Sequence, residues 1–382
     1  MPISTDELVQ LALEMSGMER LPADSTVNVP GEGMSRVLFG IDIAGAELLL
    51  ARQLQCDGVI AHHPAGGSAS RDFPEVLTRQ VEFLVAHGVP ASAAEEAVGP
   101  MITTAVMRAH AANADHVPSF ARLLGMPLMN MHLPLDELGR QIMVANIEEH
   151  VATLDRAPTV QDAIDGLLTL PELAEADTKI MVPVGDPGNA LGRLAVVHGA
   201  GTNGGARVAR AYFEHGVDTV LYIHCAGDQV AQLRERGGGN LIVTGHIASD
   251  LIGINRYVAA IEARGVEVVR MSGLEGRDPA RRAQSRHEIV ASIGCMIRAR
   301  HARGCSVATM SWSLDTRNRR SMPMTTAIAS RLSSSLLTQI SRRDLLKFSA
   351  LMAGTLALPP RFTGRIARAI EQSPRPTVVW LE

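Results

Sequence analysis

Histidine and aspartate residues occur in this sequence in short groups with the spacing of metal ligands. His246 and Asp250 are four residues apart at the start of a predicted helix, so they share one helical face and could bind one cation together. His62 and His63 are adjacent, end an apolar run and precede Pro64. Adjacent side chains on a regular strand point to opposite faces, but at a strand's end two histidines could address two metal ions. These residue types therefore predict the binding of divalent metal ions.

A third group contains His132 and Asp136 and also follows a short apolar run. Asp136 could be a carboxylate ligand or the N-cap of the next helix, just as Asp250 could be a first-turn acid favoured by the helix dipole. The His62 and His63 pair could also be polar residues of an exposed loop. Taken together, the three groups form a mixed nitrogen and oxygen set that suits zinc, manganese, iron or nickel. The remaining histidines have no paired acid and are expected to be structural or solvated.

The elements that must position these residues alternate along the chain. Apolar patterns predict strands at 36–42, 58–62, 127–131, 194–198, 219–224, 240–244 and 266–270. Helices are predicted at 44–55, 72–86, 91–124, 206–215, 228–236 and 248–264, the third of them interrupted near Gly99-Pro100. This alternation predicts an α/β fold with mainly parallel sheets, in which sites lie at the carboxyl ends of strands. All three groups follow such strands, so we expect them to meet.

The alternation also divides the chain into two α/β lobes. We expect the lobes at about 1–135 and 187–273, joined by an irregular connector at 136–186. The metal site is expected in the cleft between the lobes, since each lobe supplies part of the ligand set. Beyond residue 273 we expect a poorly structured basic tail.

A glycine-rich turn containing Gly199, Gly201 and Gly204 lies between a predicted strand and a predicted helix. Its letters fit a dinucleotide-binding fingerprint, but the next strand ends at Cys225 without the acid that would bind a ribose. The three glycines could instead bind a phosphate or another anion at the free amides of the helix start. A tight turn without a ligand is the other interpretation.

Charge divides the chain near Gly273. Residues 1–273 hold 33 acidic and 18 basic residues, a net charge of −15, whereas residues 274–382 hold 7 and 18, a net charge of +11. An acidic body argues against nucleic acid as a partner, because phosphate binding needs a positive surface.

No run of 18 apolar residues occurs, and the four cysteines form no C-x-x-C pair. These features predict a cytoplasmic body with reduced thiols.

In their order along the chain, the three groups resemble the dinuclear metal-centre hexamer family, named for Ngg-interacting factor three and often labelled as GTP cyclohydrolase type-two homologues. The similar segments over residues 1–273 are Val-Ile-Ala-His62-His63-Pro, His132-Leu-Pro-Leu-Asp136 and Gly-His246-Ile-Ala-Ser-Asp250. The resemblance implies that His62, His63, Asp136, His246 and Asp250 bind two metal ions bridged by Asp250. It also implies a homohexamer. Two departures are that the family often has glutamate at position 250 and His-Thr-Asn-Leu-Asp in the middle segment.

These observations lead us to expect a metal-dependent hydrolase acting on a small molecule. Two bridged cations would lower the pKa of a shared water toward ~7. His132 lies near the ligands in sequence and is our candidate for proton transfer or substrate contact. The family label suggests a purine nucleotide such as GTP as the substrate. The alternative is a non-catalytic metal-binding or metal-delivery protein associated with hydrogenase assembly.

That alternative depends on the tail, which we divide into an arginine-rich linker at 274–321 and a signal-like segment at 322–382. The pair Arg342-Arg343, an apolar run at 348–358 and Ala367-Arg-Ala369 form the pattern of a twin-arginine export signal. Residues 338–382 also resemble the start of nickel–iron hydrogenase small subunits. Since an export signal works at an amino terminus, we hypothesise that two reading frames are joined here. The segment could engage the twin-arginine export machinery only as a separate amino terminus.

Overall fold

Two sheets organise the part of the chain that the computed structural model describes, residues 2–274. Its strands are β1 (Thr26–Val29), β2 (Arg36–Gly40), β3 (Gly58–Ala61), β4 (Leu128–Asn130), β5 (Met181–Val184), β6 (Leu194–Val197), β7 (Thr219–Tyr222), β8 (Asn240–Val243) and β9 (Glu267–Met271). Its helices are α1 (Thr5–Ser16), α2 (Gly45–Gln53), α3 (Gly67–Arg71), α4 (Phe73–Val76), α5 (Thr78–Ala86), α6 (Ala91–Ala111), α7 (His116–Leu124), α8 (Leu133–Ala152), α9 (Val160–Leu167), α10 (Pro171–Ala174), α11 (Gly205–Glu214), α12 (Gly227–Arg236) and α13 (His246–Ala263). Both sheets are mainly parallel, which confirms the predicted α/β fold. Apart from Leu274, which is buried in the core beside the first sheet, the predicted linker and signal-like segment lie outside the described residues.

The first sheet has the strand order β1-β4-β3-β2-β9, with only β1 antiparallel to its neighbour. Helices α1 and α13 cover one face, where Phe39 packs against Tyr257. Leu38 points to the other face and joins a core that contains Leu48 of α2 and Ala121 of α7. Because both faces are covered, β2 is continuously apolar after Arg36 rather than alternating.

The second sheet has the order β5-β8-β7-β6, with only β5 antiparallel. Val220 and Tyr222 of β7 pack into a core shared with α5, α6 and α11. Leu221 faces the opposite core, which α8, α9 and α10 complete. Within residues 2–274, no helix combines the length and apolarity of a membrane-spanning segment.

The lobe boundaries differ from the predicted ones in two places. Strand β9 was predicted in the second lobe, but it pairs with β2 in the first sheet, with Leu38 opposite Val269. The predicted irregular connector at 136–186 is largely regular, since it contains most of α8, all of α9 and α10, and the edge strand β5. Strand pairing between residues more than 200 positions apart leaves no local pattern, which is why the sequence misplaced β9.

The predicted interruption of α6 at Gly99-Pro100 is wrong. Helix α6 continues through Pro100 to Ala111, and the chain turns only before α7. A proline inside a helix leaves the carbonyl oxygen four residues earlier without its usual donor. Here that oxygen belongs to Glu96, and the guanidinium of Arg207 donates to it at 3.3 Å. A side chain from α11 therefore replaces the missing backbone donor.

Candidate metal centre

The structure brings the five predicted metal ligands together at the strand ends. His62 and His63 follow β3, Asp136 lies in the first turn of α8 just after β4, and His246 and Asp250 lie in the first turns of α13 after β8. Oδ2 of Asp250 is 3.7 Å from Nε2 of His62, 3.6 Å from Nε2 of His63 and 3.3 Å from Nε2 of His246. Oδ1 of Asp136 is 3.2 Å from Nε2 of His62. One carboxylate oxygen of Asp250 is thus surrounded by three imidazoles.

Two groups of three side chains in this cluster have the spacing of a metal site, with candidate ligand atoms within 4.8 Å of one another. One group is His63, His246 and Asp250, and the other is His62, Asp136 and Asp250. Asp250 belongs to both groups, which is the position that a bridging carboxylate needs. His62, His63 and His132 form a further group.

Unpaired buried atoms show that a cation suits this cluster. Nε2 of His62, Oδ1 of Asp136 and Oδ2 of Asp250 are buried and have no hydrogen-bond partner among the described residues. Buried polar atoms nearly always have partners, because leaving one unpaired costs about 1–3 kcal/mol. Two carboxylate oxygens and an imidazole nitrogen that face one another without a proton between them suit a metal ion. The residues present therefore fit a metal centre.

Hydrogen bonds on the far side of each ring orient these histidines. Nδ1 of His62 donates to the backbone oxygen of Met131 at 3.0 Å, and Nδ1 of His63 donates to Oδ1 of Asp42 at 2.8 Å. A ring that donates from Nδ1 presents the lone pair of Nε2 to the opposite side. Such contacts fix ring orientation and raise ligand basicity in metal sites. Both Nε2 atoms consequently face Asp250.

His132 is held in a similar way by a residue that the sequence analysis missed. Its Nδ1 donates to Oδ2 of Asp24 at 2.7 Å, and its backbone amide donates to Oγ of Ser25 at 2.9 Å. Asp24 and His132 are both buried. Burial lowers the pKa of His132, but the nearby carboxylates of Asp136 and Asp24 outweigh it and raise the pKa to about 9. Nε2 of His132 lies 3.6 Å from Oδ2 of Asp136.

The electrostatics of the cluster favour charged carboxylates. Burial alone raises the pKa of Asp136 and of Asp250, but the surrounding histidines lower both below the usual range. Burial lowers the pKa of His246, and it lowers the pKa of His224 to about 4 with help from His246. Asp136 and Asp250 are therefore ionised, and His246 and His224 favour the neutral form, as metal binding requires. The pKa of His63 is instead raised, because Asp250 and Asp42 outweigh its burial.

Two histidines expected to be structural or solvated lie at this site. His198 follows β6, and its buried Nε2 is 3.8 Å from Oδ1 of Asp136 without a hydrogen-bond partner among residues 2–274. His224 follows β7, and its ring centroid is 4.6 Å from that of His246. The sequence indicates this placement only through the position of each histidine after a parallel strand. No acid lies near them along the chain, and the carboxylate beside His198 is that of Asp136 in α8.

The glycine-rich turn packs closely against its neighbours. Gly199 and Gly201 have φ angles of +70° and +77°, and a Cβ atom on Gly201 would lie 3.2–3.4 Å from Leu77, Val76 and Phe73. The amide of Gly205 donates to Oδ1 of Asn203, and that of Ala206 donates to Oε1 of Gln229. These first amides of α11 already have partners, which favours the tight-turn interpretation. Phosphate binding by Gly199, Gly201 and Gly204 stays a prediction.

Fold and site together define an α/β metal-binding protein with two mainly parallel sheets and a His/Asp cluster at their strand ends. A NIF3 superfamily protein from Sphaerobacter thermophilus is 66% identical to this chain and superposes on it with a TM-score of 0.71. The match covers 72% of this chain and 100% of that protein. The chain therefore belongs to the NIF3 superfamily, the family of Ngg-interacting factor three that its motifs resemble.

More distant solved structures are also similar to this chain. Reduced HcgD from Methanocaldococcus jannaschii is 11% identical, with 72% of this chain and 99% of HcgD covered and a TM-score of 0.43. Protein ybgI, whose function is unknown, is 16% identical, with 71% and 98% covered and a TM-score of 0.42. No family model matches the sequence, and no curated protein matches it.

Proposed function

We propose that this protein is a metal-dependent hydrolase with a dinuclear metal centre that acts on a purine nucleotide such as GTP. The observation that carries the proposal is the position of Oδ2 of Asp250, which is buried, unpaired and within 3.7 Å of three histidine Nε2 atoms. A carboxylate in that position can be shared by two cations and reduce their mutual repulsion.

Two sets of residues of this chain would bind the two metal ions. His63, His246 and Asp250 would hold one ion, and His62, Asp136 and Asp250 would hold the other. Zinc, manganese, iron and nickel all accept such a mixed set of nitrogen and oxygen ligands. When bound, divalent cations act as Lewis acids and lower the pKa of water, which is the chemistry that hydrolysis requires.

His132 is the residue that we propose for proton transfer. Asp24 holds its ring, and the residue lines the same cavity of about 580 Å³ as His63, His246 and Asp250. An imidazole that is fixed by a carboxylate on one nitrogen can donate a proton from the other to a leaving group. His132 would therefore serve as an acid, while the two aspartates stay ionised as ligands.

Hydrolysis by the purified full-length chain tests the proposal. The chain would be loaded separately with zinc, manganese, iron or nickel, its metal content measured by elemental analysis, and GTP consumption followed by chromatography. We expect turnover that disappears after chelation and in an Asp250→Asn variant. If every metal-loaded sample leaves GTP unchanged, the proposal is wrong for this substrate.

A metal-delivery protein is the second candidate, and the hydrogenase-like segment at 338–382 is the observation that favours it. The same samples separate the two functions. A delivery protein would transfer its metal to a chelating acceptor within minutes and would hydrolyse no nucleotide. A hydrolase would retain the metal through many turnovers.

A further inference from the structure

We infer that the cavity beside the metal centre is a binding site for an aromatic organic anion, whose phosphate or carboxylate group is bound by Arg108. The inference rests on the proposed function in one respect, since it places the reacting part of the ligand toward the metal centre. It adds the residue that binds the anionic group of the ligand, and it extends the ligand class from purine nucleotides to aromatic compounds with a phosphate or carboxylate group.

The second half of α6 forms one wall of this cavity. The lining residues from this helix and its cap recur at intervals of three and four, which places them on one helical face. They are Met101, Thr104, Ala105, Arg108, Ala109 and Ala112. The buried residues of α6 are instead in its first half, at Ala94, Ala97 and Val98. The later face therefore borders open space, and its three alanines keep that space free of side chains.

Apolar side chains outside α6 also line the cavity, and one of them is an aromatic ring. They are Phe73, Leu77 and Ile223. The ring of Phe73 lies 6.2 Å, between centroids, from the ring of His132. Aromatic rings at such a site favour a ligand with a flat apolar part, because stacked rings contribute about 0.5–1.5 kcal/mol beyond the area they bury. The volume of about 580 Å³ is in the range of small-molecule sites.

Arg108 supplies the charge that selects an anion. It is the only lysine or arginine among the lining residues of this cavity, and its guanidinium is exposed and makes no ion pair or hydrogen bond within residues 2–274. Arginine presents forked N–H donors that match the oxygens of a phosphate or a carboxylate. Divalent cations at the metal centre would offset the charges of Asp136 and Asp250, which leaves the cavity positive.

The glycine-rich turn is a weaker site for the same anion. The first two amides of α11 donate to Asn203 and Gln229, and Gln80 donates to the backbone oxygen of Thr202 at 2.6 Å. An anion there would have to displace these partners, whereas at Arg108 it would displace only water. The unpaired guanidinium is thus the better anchor.

Titration calorimetry on the metal-loaded full chain tests the inference with three probes: phenyl phosphate, benzoate and phenol. We expect Arg108→Gln to weaken phenyl phosphate or benzoate binding by about 10-fold or more, since a hydrogen bond to a charged group is lost. Phenol binding should not change, and Arg108→Lys should restore part of the affinity. The matched control is Arg20→Gln, which removes an exposed arginine outside the cavity. The probe whose affinity falls more in Arg108→Gln shows whether the site prefers a phosphate or a carboxylate.

Equal affinity of the native chain and Arg108→Gln for both anions would overturn the inference, and so would an equal loss in Arg20→Gln. The outcome is separate from that of the proposed function. If GTP is not hydrolysed but phenyl phosphate binding depends on Arg108, the inference holds without the hydrolase. If GTP is hydrolysed and Arg108→Gln binds the anions as the native chain does, the hydrolase stands and the inference is wrong.

Discussion

Nδ1 of His132 donates to Oδ2 of Asp24 at 2.7 Å, and the two buried residues are 108 positions apart in the chain. The backbone on both sides supports this pair. Asn130 donates to the backbone oxygen of Asp24 at 2.7 Å, and Ser25 accepts from the amide of His132. The two ends of the pair are therefore fixed independently of the metal ligands, which makes Asp24 a positioning residue for His132.

Asp24 and His132 should act as a unit. We expect Asp24→Ala to lower the rate of GTP hydrolysis by roughly 10- to 100-fold, the usual effect of removing an orienting carboxylate. His132→Ala should lower it by roughly 100-fold or more, because it removes the proton donor itself. The double variant should be little slower than the slower single variant, because the second change removes a group that has already lost its role. Steady-state rates of the three variants measure this coupling.

Asp24→Asn is the conservative control in that experiment, because its amide oxygen can still accept from Nδ1 of His132. It should retain more of the rate than Asp24→Ala. If the fold reductions of the two single variants multiply in the double variant, the two residues act independently.

Metal content should depend on Asp250 far more than on His132. Asp250→Ala removes the one residue shared by both three-residue groups, so we expect loss of most of the bound metal. His132→Ala should retain nearly all of it, since His132 is assigned to proton transfer and not to the ligand set. Elemental analysis after gel filtration compares the two variants at equal protein concentration. Equal loss in both would mean that their roles are misassigned.

The strands at the site were predictable because each is a short buried run. Residues 37–40 and 58–61 are apolar without alternation, as expected for parallel strands covered on both faces. The positions of His62 and His246 after such runs also followed from the sequence. The sequence thus predicts where each parallel strand ends and which residues follow it at the carboxyl edge of the sheet.

The partners of those residues could not be predicted in the same way. Asp24 lies before the short edge strand β1, in a segment without helical or strand periodicity. Its role depends on β1 pairing with β4, which brings it beside His132. The continuation of α6 through Pro100 likewise depends on Arg207, a side chain more than 100 positions away. Long-range contacts of this kind leave no local signal.

Close packing of α8 against α13 sets the distance between the two ligand carboxylates. Gly253 of α13 lies against the backbone oxygen of Leu135, the residue before Asp136, and a Cβ atom there would collide with that oxygen. We expect Gly253→Ala to lower the free energy of unfolding by about 1–3 kcal/mol and to weaken metal binding, because the two helices must separate. Urea denaturation and metal titration measure the two effects.

Gly227→Ala is the matched control for Gly253→Ala. Gly227 is the first residue of α12, and a Cβ atom there would meet nothing within 4 Å. It should leave both stability and metal affinity nearly unchanged. If Gly253→Ala is as mild as this control, the helix contact does not position the carboxylates.

The carboxyl-terminal boundary of the metal-binding body is the last feature that can be tested directly. The charge pattern predicts it near Gly273, but Leu274 is only 2% exposed and packs into the core between the first sheet, α1 and α13. A chain that ends at Gly276 keeps this side chain and both sheets, so we expect it to melt within a few degrees of the full chain and to keep its metal. A chain that ends at Gly273 loses a buried leucine, which is worth about 1.5–3 kcal/mol, and should melt at a lower temperature. Calorimetric melting temperatures of the full chain and of the chains that end at Gly276 and Gly273 locate the boundary. Non-cooperative unfolding of the chain that ends at Gly276 would show that later residues belong to the domain, and the hypothesis of two joined reading frames would then be wrong.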